Sequence, residues 1–132
     1  MAVATEEASR LLGDRIGDQV QRDVPLAPMT TYRVGGSAAM FVEVGSLDHL
    51  AAIAEVRAET GVPVLVVGRG SNMLVADDGF AGIAVSIAGF ADHIVLPTVD
   101  GDAGGHVVTA GGGVALPVLA RRTAAASLRG FE

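Results

Sequence analysis

The chain has 132 residues, half of them apolar, with a net charge of −6 and no cysteine. That is one domain's length, long enough to bury a core, and it leaves no disulfide framework, thiolate metal site or cysteine nucleophile. The negative balance argues against non-specific attraction to nucleic-acid backbones, and all nine basic residues are arginine. No apolar run reaches the length of a membrane-spanning helix. The N-terminus, M-A-V-A-T-E-E-A-S-R, is acidic and polar where a signal peptide would be basic and then apolar. The expected location is the cytoplasm, with no membrane partner.

In chain order, Leu11, Leu12, Ile16 and Val20 recur at helical spacing and predict a short polar helix within residues 1–22. It reads as a peripheral extension without chemistry. Pro25 and Pro28 break any helix and lead an extended arm across the surface, so residues 1–27 are expected to be extension and arm. In Thr30–Gly36, T-T-Y-R-V-G-G, the one tyrosine, Tyr32, stands beside Arg33. An arginine next to an aromatic ring suits an anionic or planar ligand; a strand end held by an ion pair fits the same residues.

Ala39–Val44 reads as a strand, and Ser46 as the N-cap of a helix running to about Thr60. Leu47, Leu50, Ala51, Ala54 and Ala58 fall on one face, Asp48 suits the helix dipole in the first turn, and Gly61 with Pro63 supplies the stop. His49 reads as a solvated surface residue. A second strand at Val64–Val67 completes a β–α–β unit over residues 39–68, whose two strands should be parallel. Its continuous apolar run, rich in β-branched residues, predicts burial on both faces.

That strand runs into Gly68-Arg69-Gly70-Ser71-Asn72. Two glycines permit positive φ and close approach of a ligand to the main chain, and successive N–H groups in such a turn form an anion-binding concavity. Ligands of open α/β sheets bind beyond the carboxyl ends of strands. An ordinary turn would use the same residue types. The loop lacks the third glycine of the dinucleotide fingerprint and the lysine of a Walker loop. Met73–Ala76 is expected to form a further short strand. Asp77-Asp78-Gly79 reads as a turn and not as a metal site, and Gly82–Ile87 as the next strand.

From about Asp92 strands follow without intervening helices. His93–Val99 and His106–Ala110 are joined by the glycine-rich segment Asp100–Gly105, a hairpin signal. Gly111, Gly112 and Gly113 form a second flexible backbone stretch. A helix follows, with Val114, Val118, Ala125 and Leu128 as its apolar positions, Pro117 in its first turn and Arg121 and Arg122 in solvent.

Four segments, in order, carry a family likeness: T-Y-R-V-G-G, P-V-L-V-V-G-R-G-S-N-M-L-V, G-F-A-G-I-A-V and T-A-G-G-G-V-A-L. Together they resemble the N-terminal flavin-binding region of the UDP-N-acetylenolpyruvoylglucosamine reductase (MurB) family. The terminal L-R-G-F-E is similar to the start of that family's next flavin-binding segment. The resemblance covers residues 28–132. It implies an α+β fold of the vanillyl-alcohol-oxidase/PCMH type. Residues 28–91 would form a small parallel βαβ subdomain, and residues 92–132 the start of an antiparallel one.

The resemblance also implies non-covalent FAD, NADPH as reductant and a UDP-sugar substrate. Hydride would pass from the flavin to an enolpyruvyl double bond, and the product, UDP-N-acetylmuramate, would enter peptidoglycan synthesis. Carried over by position, Gly68, Arg69, Gly70, Ser71, Asn72 and Met73 become the FAD pyrophosphate loop. Gly111, Gly112 and Gly113, then Tyr32 and Arg33, are further contact candidates. Arg69 stands where the family varies, which favours its backbone N–H over its side chain. The family's proton donor and substrate residues lie beyond Glu132, so no catalytic residue is assigned. The chain is expected to be a truncated piece that is inactive alone. Two other readings are an FAD-linked oxidase of the same fold and a non-enzymatic α/β interaction module. The absence of histidine from the loop, where many such oxidases attach flavin covalently, favours the reductase.

Overall fold

The computed structural model describes residues 2–97 and 105–131. The N-terminal helix α1 (Ala2–Ile16) stops at a 3₁₀ turn (Gly17–Gln19), where Gly17 takes φ +56°, a conformation open to glycine. The chain then enters strand β1 (Val20–Pro25), a second 3₁₀ turn at Ala27–Met29, and strand β2 (Ser37–Glu43). Helix α2 (Leu47–Thr60), strand β3 (Val64–Val67) and strand β4 (Phe80–Ser86) follow. A short antiparallel pair, β5 (Ile94–Val95) and β6 (Thr109–Ala110), precedes helix α3 (Leu116–Ala125).

The first four strands form one sheet in the order β1-β2-β4-β3. β2, β4 and β3 run parallel, and β1 is antiparallel to β2. The two strands of the β–α–β unit are thus parallel as expected, but β4 inserts between them. This moves the two-sided burial predicted for β3 onto β4, whose Gly82–Val85 are buried. β3 is an edge strand, and its Val66 is 57% exposed. Apolar β-branched runs favour a strand; position in the sheet decides how much of it is covered.

One face of the sheet is packed by helices. Met40, Val42, Ile83 and Val85 meet Ala8 and Leu12 of α1 and Ala52, Ile53 and Val56 of α2. Leu12 is fully buried, so α1 is part of the core and not a peripheral extension. Likewise the expected surface arm is strand β1, paired with β2 from Val20 to Pro25. Arg15 reaches Glu55 at 3.4 Å and also pairs with Glu59, which ties α1 to α2 at their solvent edge. Exposed pairs of this kind contribute at most about 1 kcal/mol each.

The ends of α2 match the expected signals. Ser46 Oγ accepts from the His49 N–H at 3.3 Å, His49 Nδ1 accepts from the Gly45 N–H at 3.2 Å, and Gly61 closes the helix at φ +70°. His49 is therefore half-buried and used in the cap. The apolar face differs from the expected one: Ala52, Ile53 and Val56 are buried, whereas Leu47 is 71% exposed and Ala51, Ala54 and Ala58 face solvent. Ile53 and Val56 remove more apolar surface from water than three alanines can.

The opposite face is covered by loops. Leu26 and Val75 close over Ala38, Phe41, Val67 and Ala84. The strand expected at Met73–Ala76 does not form. Instead the Ala76 carbonyl accepts from the N–H groups of Gly36 and Gly79, each at 2.9 Å, as the segment crosses this face. A Cβ on Gly35 would lie 2.4 Å from the Val75 carbonyl oxygen, and one on Gly36 2.3 Å from that of Asp77. The Gly-Gly pair thus serves a close backbone crossing as well as a turn.

In the second part, the hairpin strands are shorter than expected. The predicted connection at Asp100–Gly105 lies, apart from Gly105, outside the described residues, as do Thr98 and Val99. α3 begins with Pro117 in its first turn, and Arg121 and Arg122 are exposed, as expected. Its buried positions are Leu119 and Thr123 in place of Val118 and Ala125. Thr123 is tolerated there because its hydroxyl is satisfied by the Leu119 and Ala120 carbonyls at 3.1 and 2.9 Å.

Candidate functional site

The carboxyl ends of the parallel strands, at Glu43, Val67 and Ser86, lie side by side in the sheet register. A cleft of about 370 Å³ opens there, lined by Met29, Phe41, Glu43, Val67, Gly68, Arg69 and Ser86 among others. The loop following β3 forms one border. Gly70 takes φ +63°, and a Cβ on it would stand 1.9 Å from the Met29 carbonyl oxygen. Its own carbonyl accepts from the Thr31 N–H at 3.2 Å. Only glycine fits this position, on two independent grounds.

The same contacts bring in Thr30–Arg33. Thr30 Oγ1 donates to the Ala27 carbonyl at 3.2 Å and accepts from the Arg33 N–H at 3.1 Å. Arg33 has φ +54°, and Tyr32 is 61% exposed. The backbone of this turn therefore touches the Gly70 loop, while both side chains stand in solvent. Gly111–Gly113 arrives from the other part of the chain. The Gly111 and Gly113 N–H groups donate to the His93 and Ala91 carbonyls at 2.9 and 2.8 Å. Cβ atoms at these glycines would fall 2.2 Å from the Ala91 oxygen and 2.7 Å from the Ile87 oxygen. Arg69 Nε donates to the Gly113 carbonyl at 2.9 Å. Two glycine-rich stretches, 44 residues apart, are thereby joined.

Ser71 and Asn72 are exposed. Among the described residues their side chains have no hydrogen-bond partner, and the N–H groups of Arg69, Gly70, Ser71 and Asn72 have no acceptor. Met73 behaves differently: it is half-buried and packs with the loop-covered core. Met29 and Ser86 were not singled out from the sequence, whereas Thr31 lies in the Thr30–Gly36 segment that was. Strand order reveals Ser86, and only the packing of Gly70 against the Met29 carbonyl reveals Met29. No group of histidine and carboxylate residues among those described could hold a metal. The Asp77-Asp78 pair is exposed in a turn. Among the described residues no helix is long and apolar enough to cross a membrane.

Comparison with known proteins decides the family. Residues 38–130 match the model of the FAD binding domain. The chain belongs to this FAD-binding family. It is also similar to UDP-N-acetylenolpyruvoylglucosamine reductases. With that of Synechococcus sp. (strain RCC307) it shares 37% identity over 113 residues, covering 86% of this chain and 35% of the relative. With that of Geobacter metallireducens it shares 41% over 96 residues, 73% of this chain and 30% of the relative. With that of Carboxydothermus hydrogenoformans it shares 36% over 121 residues, 92% of this chain and 38% of the relative. The chain thus spans about a third of the length of the curated relatives it matches. Among solved structures, p-cresol methylhydroxylase with substrate bound superposes with a TM-score of 0.55 at 13% identity, over 97% of this chain and 26% of that one. At this identity the likeness concerns the fold, which agrees with the expected α+β, PCMH-type class.

The loop's chemistry fits part of an FAD molecule. A diphosphate needs several donors converging on a small volume and no acceptor groups crowding them. The N–H groups of Arg69 to Asn72, which have no acceptor among the described residues, and the exposed Ser71 hydroxyl and Asn72 amide offer free donors at this loop.

Proposed function

We propose that this chain is the FAD-holding portion of a reductase that converts the enolpyruvyl ether of UDP-N-acetylglucosamine to UDP-N-acetylmuramate. The reaction would take place in the cytoplasm, with NADPH as reductant. The observation that carries the reading is the convergence of Gly68–Asn72, Thr30–Arg33 and Gly111–Gly113 at the carboxyl ends of parallel strands. The identity of 34–41% with reductases over most of the chain supports the choice of reaction. The UDP-sugar comes from the names of those relatives and from the resemblance, and the reductant and the cellular location come from the resemblance alone.

In this reading, the N–H groups of residues 69–72 and the Ser71 hydroxyl hold the pyrophosphate. Gly111–Gly113 borders the cofactor from the second part of the chain, and the exposed Tyr32 and Arg33 offer outer contacts. FAD, when bound, supplies the hydride chemistry. The protein residues bind and orient it. Residues 68–73 contain no histidine, which favours a non-covalently held cofactor. No described residue is assigned the proton-donating role.

The test is a titration of the purified chain with FAD, followed by flavin fluorescence and dialysis. Saturable, reversible binding that is lost in a variant carrying Gly70→Val and Ser71→Ala is the expected result. Binding unaltered by both substitutions would remove the pyrophosphate assignment. NADPH-dependent reduction of the enolpyruvyl sugar by this chain alone would overturn the view that it is only the cofactor-holding portion.

A further inference from the structure

We propose that the Arg69 side chain is a latch: a positioning residue that holds the Gly111–Gly113 turn against the Gly68–Asn72 loop. The proposal rests on the FAD reading for its functional consequence, and on geometry alone for the latch itself. Arg69 Nε donates to the Gly113 carbonyl at 2.9 Å. Gly68 lies close enough to the turn that a Cβ on it would be 3.5 Å from the Gly112 oxygen. The turn is otherwise held by N–H groups donating to Ala91 and His93, on the segment that follows β4. Those bonds fix the turn to the connection between β4 and β5 and do not reach the β3 loop.

The arginine contact is therefore the side-chain hydrogen bond, among the described residues, that joins the two glycine-rich borders. A guanidinium suits this role. Its Nε–H points sideways from a planar fork, so one donor can be used on the carbonyl while the others stay free. A lysine has no equivalent lateral donor. The arrangement also explains how an exposed arginine can matter at a loop whose work is done by backbone N–H groups: it acts through Gly113, by keeping two separate segments at one spacing before a ligand arrives. Pre-organisation of that kind strengthens binding by removing an ordering cost.

The experiment compares Arg69→Met and Arg69→Lys with the parent chain. Amide hydrogen exchange is followed at Gly113, whose N–H donates to the Ala91 carbonyl, at Val114, whose N–H donates to the Gly111 carbonyl, and at Ile83 and Val85 in the central strand as a folding control. FAD affinity is measured in parallel. A latch predicts exchange at Gly113 and Val114 faster by about tenfold in both variants, with Ile83 and Val85 unchanged, since a charge-assisted hydrogen bond is lost. It also predicts FAD binding weaker by about tenfold in both.

Unchanged exchange at the turn would overturn the latch. Full affinity restored by lysine would show that charge attracts the phosphate directly, and would equally overturn it. Faster exchange with unaltered FAD affinity would reject the positioning role. If the parent chain binds no FAD, the cofactor reading fails by itself, and the exchange measurement still decides whether Arg69 holds the turn.

Discussion

The two faces of the four-stranded sheet are held together by different means. On the helix side, large side chains interlock: Leu12, Met40, Val56, Ile83 and Val85 are essentially buried and fill the space between α1, α2 and the strands. On the loop side, much of the contact is backbone against backbone. Gly35, Gly36, Gly70 and Gly79 sit where an added Cβ would fall within 2.4 Å of a carbonyl oxygen. The first face tolerates changes of shape at a cost set by volume, because side chains can shift. The second tolerates no added atom, because carbonyl groups fixed by hydrogen bonds cannot. The candidate site lies at the carboxyl edge, beside the second face. The helix side supplies stability, and the loop side supplies the donor geometry.

This contrast can be broken in graded ways. Leu12→Ala should have the largest effect on stability, lowering the unfolding free energy by about 2–5 kcal/mol through a cavity between α1 and the sheet. FAD affinity of the folded fraction should not change. Urea unfolding combined with flavin titration checks both. A loss below about 0.5 kcal/mol would mean that α1 is not integral to the core.

Gly70→Ala should reverse the pattern. A positive φ and a clash with the Met29 carbonyl cost about 1–3 kcal/mol of stability, and FAD binding should weaken by about 100-fold or more as the loop is displaced. Equilibrium unfolding and fluorescence titration of the one variant give both numbers. Equal affinity in this variant would dissociate the loop from the cofactor.

Ser71→Ala is milder. Its hydroxyl is exposed and has no partner among the described residues, so stability should stay within about 0.5 kcal/mol. FAD affinity should fall by about tenfold through loss of one hydrogen bond to a charged group. Ser46→Ala, at the α2 N-cap, is the matching control from the helix side: about 1 kcal/mol in thermal or urea unfolding, and no change in FAD affinity.

Much of this was legible along the chain. The cap of α2 could be read at Ser46 and Gly61, because capping is satisfied within a few residues. The Gly68–Asn72 loop could be read from its residue types at the end of an apolar run. Other features were not local. The apolar stripe of α2 was misplaced because several alanines compete with Ile53 and Val56 on spacing alone, and only the surface against which the helix packs chooses between them. Met73–Ala76 has the composition of a strand, yet it crosses the loop face with its Ala76 carbonyl accepting from Gly36 and Gly79 and pairs with no strand. The side chain of Arg69 was set aside because its position varies in the resembled family, and its partner, the Gly113 carbonyl, is a backbone group that leaves no mark in residue type.

What the sequence determined by itself, then, was whatever depends on neighbours within one turn or one strand: caps, glycine conformations, the parallel β–α–β pattern and the order of motifs that resembles a flavoprotein family. Tertiary structure decided the rest. It set which strand is central, made the N-terminal helix part of the core, and brought residues 29–33, 68–72 and 111–113 to one edge of the sheet. The physical reason is that burial and close backbone approach are properties of pairs of distant segments. Neither segment's residues specify the distance between them until both have packed.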